Sequence, residues 1–339
     1  MKRKLAAGFP VDSFNSRYMR RIFNLHTPLI AIWSMILPAL SLLFFVSSVS
    51  AANLHRIVMH ADELDGGRYA YRMQSHEITD KDGSSVDVTS RYSVQATIPG
   101  PTIVITEGDV VDIELLHVFN PDNSKQEHVS LHVHGVHFDI DSDGTLKYIN
   151  LHKDESATPV MSYKYRWTAA LGTGGTWPYH DHNMISHNGA EDKGLFGMLI
   201  VNPASGTTEL NIDGQGVATP LGNIQKEYVL YIGDDAFWGM EIDNTTGVQT
   251  PLGVNPTLMA QRNTDVRFHL IALGTNFHQF ELGSYTWVDP GTRTRIKTKA
   301  IGPLEKHVFA ITATHSASYQ DTVFSSKLLG MKGNFVVAD

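Results

Sequence analysis

Short runs of alternating apolar and polar residues, cut every few positions by Gly, Pro, Asn and Asp, fill the chain from about residue 52 onward. Thr102-Ile103-Val104-Ile105, Val110-Val111-Asp112-Ile113-Glu114-Leu115 and Gly197-Met198-Leu199-Ile200-Val201 are examples. A period of two sends one set of side chains to a core and the other to water. Helical periodicity is nearly absent, so the expected fold is all-β, built of sandwiches or barrels. The halves also repeat one another. Pro101-Thr102-Ile103 followed by Asp109-Val110 corresponds to Pro256-Thr257-Leu258 followed by Asp265-Val266. Tyr179-His180-Asp181-His182 falls opposite Tyr319-Gln320-Asp321-Thr322, and Gly197-Met198-Leu199-Ile200-Val201 opposite Gly333-Asn334-Phe335-Val336-Val337. A duplicated β-sandwich accounts for this pattern. The polar, Gly/Pro-rich stretch 204–223 then reads as a linker between a first domain, 52–203, and a second, 224–339.

Residues 1–51 read as a targeting segment outside the fold. A basic flank (Lys2, Arg3, Lys4, Arg17, Arg20, Arg21) precedes an apolar run from Pro28 to Val49. Val49-Ser50-Ala51 offers small residues for cleavage after Ala51, and Arg20-Arg21 with Phe23 and Leu25 resembles a twin-arginine export signal. The run is also long enough to remain as a membrane anchor. Either way the rest is expected outside the cytoplasm: periplasmic, secreted or on the outer face of a membrane.

The 339 residues carry a formal charge of −8 and show no basic stripe, which argues against a nucleic-acid partner. There is no cysteine, so disulfides, thiolate metal ligands and cysteine nucleophiles are excluded together. Histidine is abundant, at 17, and two pairs stand out: Leu131-His132-Val133-His134-Gly135 and Tyr179-His180-Asp181-His182. On a strand, residues i and i+2 share a face, so each pair presents two imidazoles side by side. If the two strands neighbour one another, four nitrogen donors converge; such donors suit copper, zinc, iron or nickel, and copper tops the divalent affinity order. Asp181, between the second pair, points to the opposite face and could still hydrogen-bond a ligand. His187 reads as a loop residue. His128 and His137 flank the first pair out of phase, and His55, His60, His76, His117, His152, His269, His307 and His315 show no partner pattern.

These motifs resemble a known family. Leu131-His132-Val133-His134-Gly135, Ser142-Asp143-Gly144-Thr145, Trp177-Pro178-Tyr179-His180-Asp181-His182 and Gly194-Leu195-Phe196-Gly197 are similar to the first domain of two-domain multicopper oxidases, the small laccases. Leu273-Gly274-Thr275-Asn276-Phe277-His278-Gln279-Phe280, Ile301-Gly302-Pro303 and Leu329-Gly330-Met331-Lys332-Gly333 are similar to the second. The resemblance implies two tandem cupredoxin-like Greek-key sandwiches assembled as a homotrimer. In that family a blue type 1 copper feeds electrons to a trinuclear cluster between the first domain of one subunit and the second domain of its neighbour. It further implies His132 at the type 2 position and His134, His180 and His182 at type 3 positions.

The second domain departs from the family pattern. His278 and Met331 stand where the type 1 histidine and axial methionine belong, but Asp321 replaces the cysteine and Ser326 the second histidine. Glu281 and Gly283 replace two cluster histidines, and Gln320 and Thr322 two more. A blue centre needs a copper–thiolate bond, and none is possible here. The resemblance thus implies a copper-binding protein without a type 1 relay. It would exchange copper with a donor protein or meet a small-molecule partner, with Glu281 as a candidate ligand or general base across the subunit boundary. The alternatives are an oxidoreductase whose substrate meets the metal directly, and a metal-free partner subunit. His278, Asp321 and Met331 are expected to pack as ordinary residues.

Overall fold

The computed structural model describes residues 52–118, 128–145, 149–150, 161–182, 193–212 and 215–339. The expected targeting segment, His152 and His187 lie outside them, as does the side chain of His128. Nearly every regular element is a strand, and the strands form two successive sandwiches.

In the first sandwich one sheet runs in the order Ser85–Asp87, Arg68–Thr79, Leu54–Leu64, Val110–His117, Ser162–Thr168. The facing sheet runs Thr102–Thr106, Phe196–Asn202, Gly175–His180, His132–Val133. Alternation sets the core: Val111, Ile113 and Leu115 point inward from one strand and meet Ile103, Trp167, Tyr179 and Leu199. The second sandwich pairs a seven-stranded sheet with a five-stranded one around Phe268, Phe280, Phe309, Phe335, Trp287 and Tyr319.

The duplication seen in the sequence has counterparts in both sandwiches. Thr102–Thr106 runs parallel to Phe196–Asn202, as Thr257–Gln261 runs parallel to Lys332–Ala338. The Tyr179 hydroxyl donates to the Pro101 carbonyl at 2.6 Å, and the Tyr319 hydroxyl to the Pro256 carbonyl at 2.7 Å. Each phenol lies against a glycine, Gly197 or Gly333, where any Cβ would collide with the ring. This close approach explains why both terminal strands carry glycine at that point.

The stretch 204–223 differs from the linker expected of it. Thr207–Ile212 and Gln215–Pro220 form a hairpin, and Thr207–Ile212 joins Lys306–Thr312, adding two strands to the large sheet of the second sandwich. Its apolar content was too sparse to announce strands, because most of the hairpin faces water: five of the six residues of Gln215–Pro220 are exposed.

Two strands read as unbroken apolar runs because both of their faces are covered. Phe196, Met198 and Ile200 of the first sandwich pack on Val229, Tyr231, Met240 and Ile271 of the second. Polar clamps flank this seam. Thr102 and Gln249 exchange two hydrogen bonds at 2.8 and 2.5 Å. Buried Glu227 accepts from Arg267 at 2.7 Å and from His269 Nε2 at 2.5 Å. His269 Nδ1 in turn accepts from the Thr176 hydroxyl at 2.5 Å, and Arg267 reaches Asn202 at 2.9 Å.

Candidate metal centre

Strand register brings the two histidine pairs together. His132–Val133 pairs antiparallel with Gly175–His180 so that His180 stands opposite His132 and Tyr179 opposite Val133. Val133 and Tyr179 are fully buried in the core, so their neighbours must face the other way. The backbone N–H of His134 continues the ladder to the Pro178 carbonyl at 3.1 Å.

Four imidazoles therefore form one group. The ring centre of His132 lies 4.8 Å from that of His134, 5.5 Å from His180 and 5.1 Å from His182. His180 lies 5.3 Å from His134 and 5.8 Å from His182. The Nε2 atoms of His134 and His180 are 3.0 Å apart. Ligand atoms of His132, His134 and His180 all fall within 4.8 Å of one another.

Backbone carbonyls set the tautomers. His132 Nδ1–H donates to the Asp143 carbonyl at 2.5 Å, and His180 Nδ1–H donates to the Asp181 carbonyl at 2.9 Å. With Nδ1 protonated, Nε2 carries the lone pair, which is how metal-binding imidazoles are usually held. Burial pushes the His180 imidazole down to about 3 and His134 to about 4. The neighbouring imidazoles push the same way, and Lys306 adds to the effect at His134. Burial lowers His132 as well, against the opposing pull of Asp143. Neutral rings near pH 7 are the ligand form.

The loop carrying Asp143 depends on Gly144, at φ +78°, whose missing Cβ would strike the backbone of Leu131 and His132. A Gly144→Ala change should tilt the carbonyl away from His132 and weaken copper binding roughly tenfold to a hundredfold in a chelator competition. Unchanged affinity would show that the carbonyl does not position the ring. The Asp181 carboxylate points away from the imidazoles, as its strand position requires, and accepts from Ser130 N–H at 2.9 Å and Ser130 Oγ at 3.2 Å. Ser130 Oγ then accepts from His182 N–H at 2.9 Å. So Asp181 holds the pair through its own carbonyl on one side and through Ser130 on the other.

Glu281 sits elsewhere within the chain. Its carboxylate accepts from Gln320 Nε2 at 3.0 Å and lies 3.5 Å from Lys297 Nζ, outside the imidazole group. In the second domain His278, Asp321, Ser326 and Met331 are all buried. His278 Nδ1–H donates to Asp321 Oδ2 at 2.7 Å, while Gln279 N–H and Val323 N–H donate to Oδ1 at 2.9 and 3.0 Å. Burial pushes the Asp321 carboxyl up, but the hydrogen bonds from His278, Ser326 and these backbone groups outweigh it, and it lies below its ordinary value. Protein donors already occupy the carboxylate that stands where a thiolate would be needed.

Several of the unpaired histidines have partners that sequence spacing does not reveal. His55 Nδ1 and His76 Nε2 are 2.9 Å apart between buried Asp109 and the Tyr92 hydroxyl. His307 Nε2 accepts from Trp287 at 2.7 Å. Among the described residues, His137 is joined by a backbone bridge to Thr168. Asp143, Ser130 and Lys306 are the residues around the site that spacing did not single out. Asp143 was legible in part, because Ser142-Asp143-Gly144-Thr145 was already a recognisable motif.

A multicopper oxidase family model matches residues 74–206, which include all four histidines. The chain is 26% identical over 210 residues to laccase-7 of Oryza sativa subsp. japonica, covering 57% of this chain and 34% of that protein. It is 31% identical over 118 residues to putative laccase-17 of the same organism, covering 34% and 18%. The chain thus spans about a third or less of the length of these relatives. Its fold is similar to a solved copper nitrite reductase from Nitrosomonas europaea, with TM-score 0.53 and 17% identity over 84% of this chain and 94% of that one. It is likewise similar to a solved multicopper oxidase, with TM-score 0.52 and 19% identity over 84% and 88%.

Proposed function

We propose, from the premise that this chain is a laccase-like member of the multicopper oxidase family, that it is an exported copper-binding protein without a type 1 relay. Copper is the metal the family implies, and nothing in the matches points to zinc. The observation that carries the reading is the register of His180 on His132, which groups four imidazoles, two of them with Nδ1 tied to backbone carbonyls. These residues suit copper: imidazole nitrogens are among its preferred donors, and burial favours the neutral form of His132, His134 and His180. Bound there, copper would supply Lewis acidity and one-electron chemistry. The chain's own residues fix the ligand geometry: Asp143 and Asp181 set tautomers, and Ser130 ties the second pair to the first strand's edge.

In a ring of three, the neighbouring copy would bring the Glu281 carboxylate toward the imidazoles as a ligand or general base, with Gln320 beside it. Copper exchange with a donor protein or a small molecule follows from a site whose histidines are all partly exposed. A second reading, oxidation of a substrate in direct contact with the metal, is favoured by one observation. A cavity of roughly 390 Å³ opens beside His134.

Metal analysis and oxygen uptake test these readings. The purified, copper-loaded protein should hold about one copper or more per chain, and less than that leaves only a metal-free partner role. Oxygen consumption with phenols should stay at background. Turnover that disappears in His180→Ala would establish the oxidoreductase instead. The loaded protein should also lack the intense band at roughly 600 nm that copper–thiolate bonding produces. Such a band would contradict the ligand set.

A further inference from the structure

Charge is unevenly distributed around the imidazole group. On the His132 side the Asp143 carboxylate lies 3.5 Å from the ring Nδ1 and also accepts from the Thr145 hydroxyl. On the His134 side stands a cation, Lys306, supplied by the second sandwich at the head of the strand Lys306–Thr312. Its ammonium nitrogen is buried and has no hydrogen-bond partner among the described residues. It is enclosed against the ring of Trp177, which attracts a cation without taking a proton from it. That ring fills the space where a Cβ on Gly135 would stand, one residue beyond His134. Its own N–H donates to the Thr173 carbonyl at 2.8 Å. The neighbouring charged groups are engaged elsewhere: Lys299 with Asp289 at 2.8 Å, and Glu305 with Gly302 N–H at 2.6 Å. Lys306 is one of the charges that lower the His134 imidazole, so its field reaches the group.

We propose that Lys306 sets the oxidation-state preference of the site, its uncompensated charge turning the four imidazoles toward Cu(I) and away from Cu(II). The inference rests on the copper-binding reading above and deepens it. Repulsion between the ammonium and a divalent ion is twice that with a monovalent ion at the same place. Because the ammonium is buried, salt screens this repulsion little. The four ligands are neutral imidazoles, which bring no negative charge to offset it. Asp143 opposes Lys306 from the His132 side, but its carboxylate is partly exposed and shared with Thr145. The buried cation therefore weighs more. A site biased in this way takes up and hands on copper in its reduced form.

The test is a pair of chelator competitions, bicinchoninate for Cu(I) under anaerobic conditions and nitrilotriacetate for Cu(II). Both are run at about pH 6, where the ammonium is the main form because burial lowers Lys306 only to about 7. Lys306→Met should raise Cu(II) affinity about tenfold relative to Cu(I), the scale of one unit charge at short range in a partly buried site. Lys306→Gln, equally neutral, should do the same, and it serves if the Met variant does not fold. Asp143→Asn keeps the carbonyl that orients His132 and removes the opposing charge. It should move the ratio the other way, by a smaller factor. Opposite shifts are the signature of charge, since a merely structural disturbance weakens both ions together. A ratio unmoved by both Lys306 variants, or moved in the same direction by Lys306→Met and Asp143→Asn, would overturn the proposal. Wild-type protein that binds neither ion removes the copper reading and this inference with it. Copper uptake with an unmoved ratio removes this inference alone.

Discussion

Replacing His132 by alanine is expected to weaken copper binding by about a hundredfold or more, a larger loss than any outer change such as Gly144→Ala produces. His132 is the hub of the group, with ring centres of the other three imidazoles 4.8, 5.5 and 5.1 Å away. Its removal deletes one donor and also frees the Asp143 carbonyl that oriented it. The measurement is a competition against a chromogenic copper chelator, with circular dichroism to show that the fold survives. His137→Ala supplies the control: that side chain is exposed, and its residue joins the structure through a backbone bridge. Equal losses in the two variants would mean that histidine content, and not the strand-borne group, determines uptake.

The largest stability effect is expected at the seam, from Glu227→Gln. The wild-type carboxylate is buried and takes bonds from Arg267, His269 and Asn244. Glutamine keeps the shape but leaves the buried Arg267 guanidinium without its counter-ion, which typically costs about 3–5 kcal/mol. For a chain of this size that is a fall in Tm of roughly 10 °C. The double change Glu227→Gln with Arg267→Met should recover much of the loss, because no uncompensated charge remains. A single variant as stable as the wild type would show that the clamp contributes little.

The same network fixes a pH dependence. Burial opposes charge on Glu227, but Arg267, His269 and Asn244 hold its carboxyl well below the ordinary 4.5. Its contribution is therefore present above that value and lost as pH falls below it. Burial and the Arg267 charge lower His269 from its ordinary 6.5, so keeping it neutral adds stability above that value that also declines on acidification. Both signs agree: the seam should loosen as pH drops from about 6.5, and more steeply below about 4.5.

How much of this was legible follows from what each feature rests on. Period-two alternation is a local signal, so Val110–His117 and the sandwich class could be read directly. The Tyr–Pro bonds behind the duplication also left a mark, because Pro101, Tyr179 and Gly197 recur as Pro256, Tyr319 and Gly333. The hairpin Thr207–Pro220 was not legible: its strands are mostly exposed, and only pairing with Lys306–Thr312 reveals them. Convergence of the histidine pairs was inferable as a condition, but the register that satisfies it is a tertiary fact. Lys306 lay beyond reach because its neighbour Trp177 is 129 positions away in the chain and no spacing rule joins them. Glu227, Arg267 and His269 were hidden for a related reason. They sit on adjacent strands of one sandwich and bond one another there, while Arg267 and His269 also reach Asn202 and Thr176 of the other.

Locating copper in a crystal of the loaded protein, by its anomalous scattering, tests the account most directly. The expected result is an ion bonded to Nε2 of at least three among His132, His134, His180 and His182, with none in the buried pocket of His278, Asp321 and Met331. Copper found only in that second-domain pocket, or only on scattered surface histidines, would contradict it.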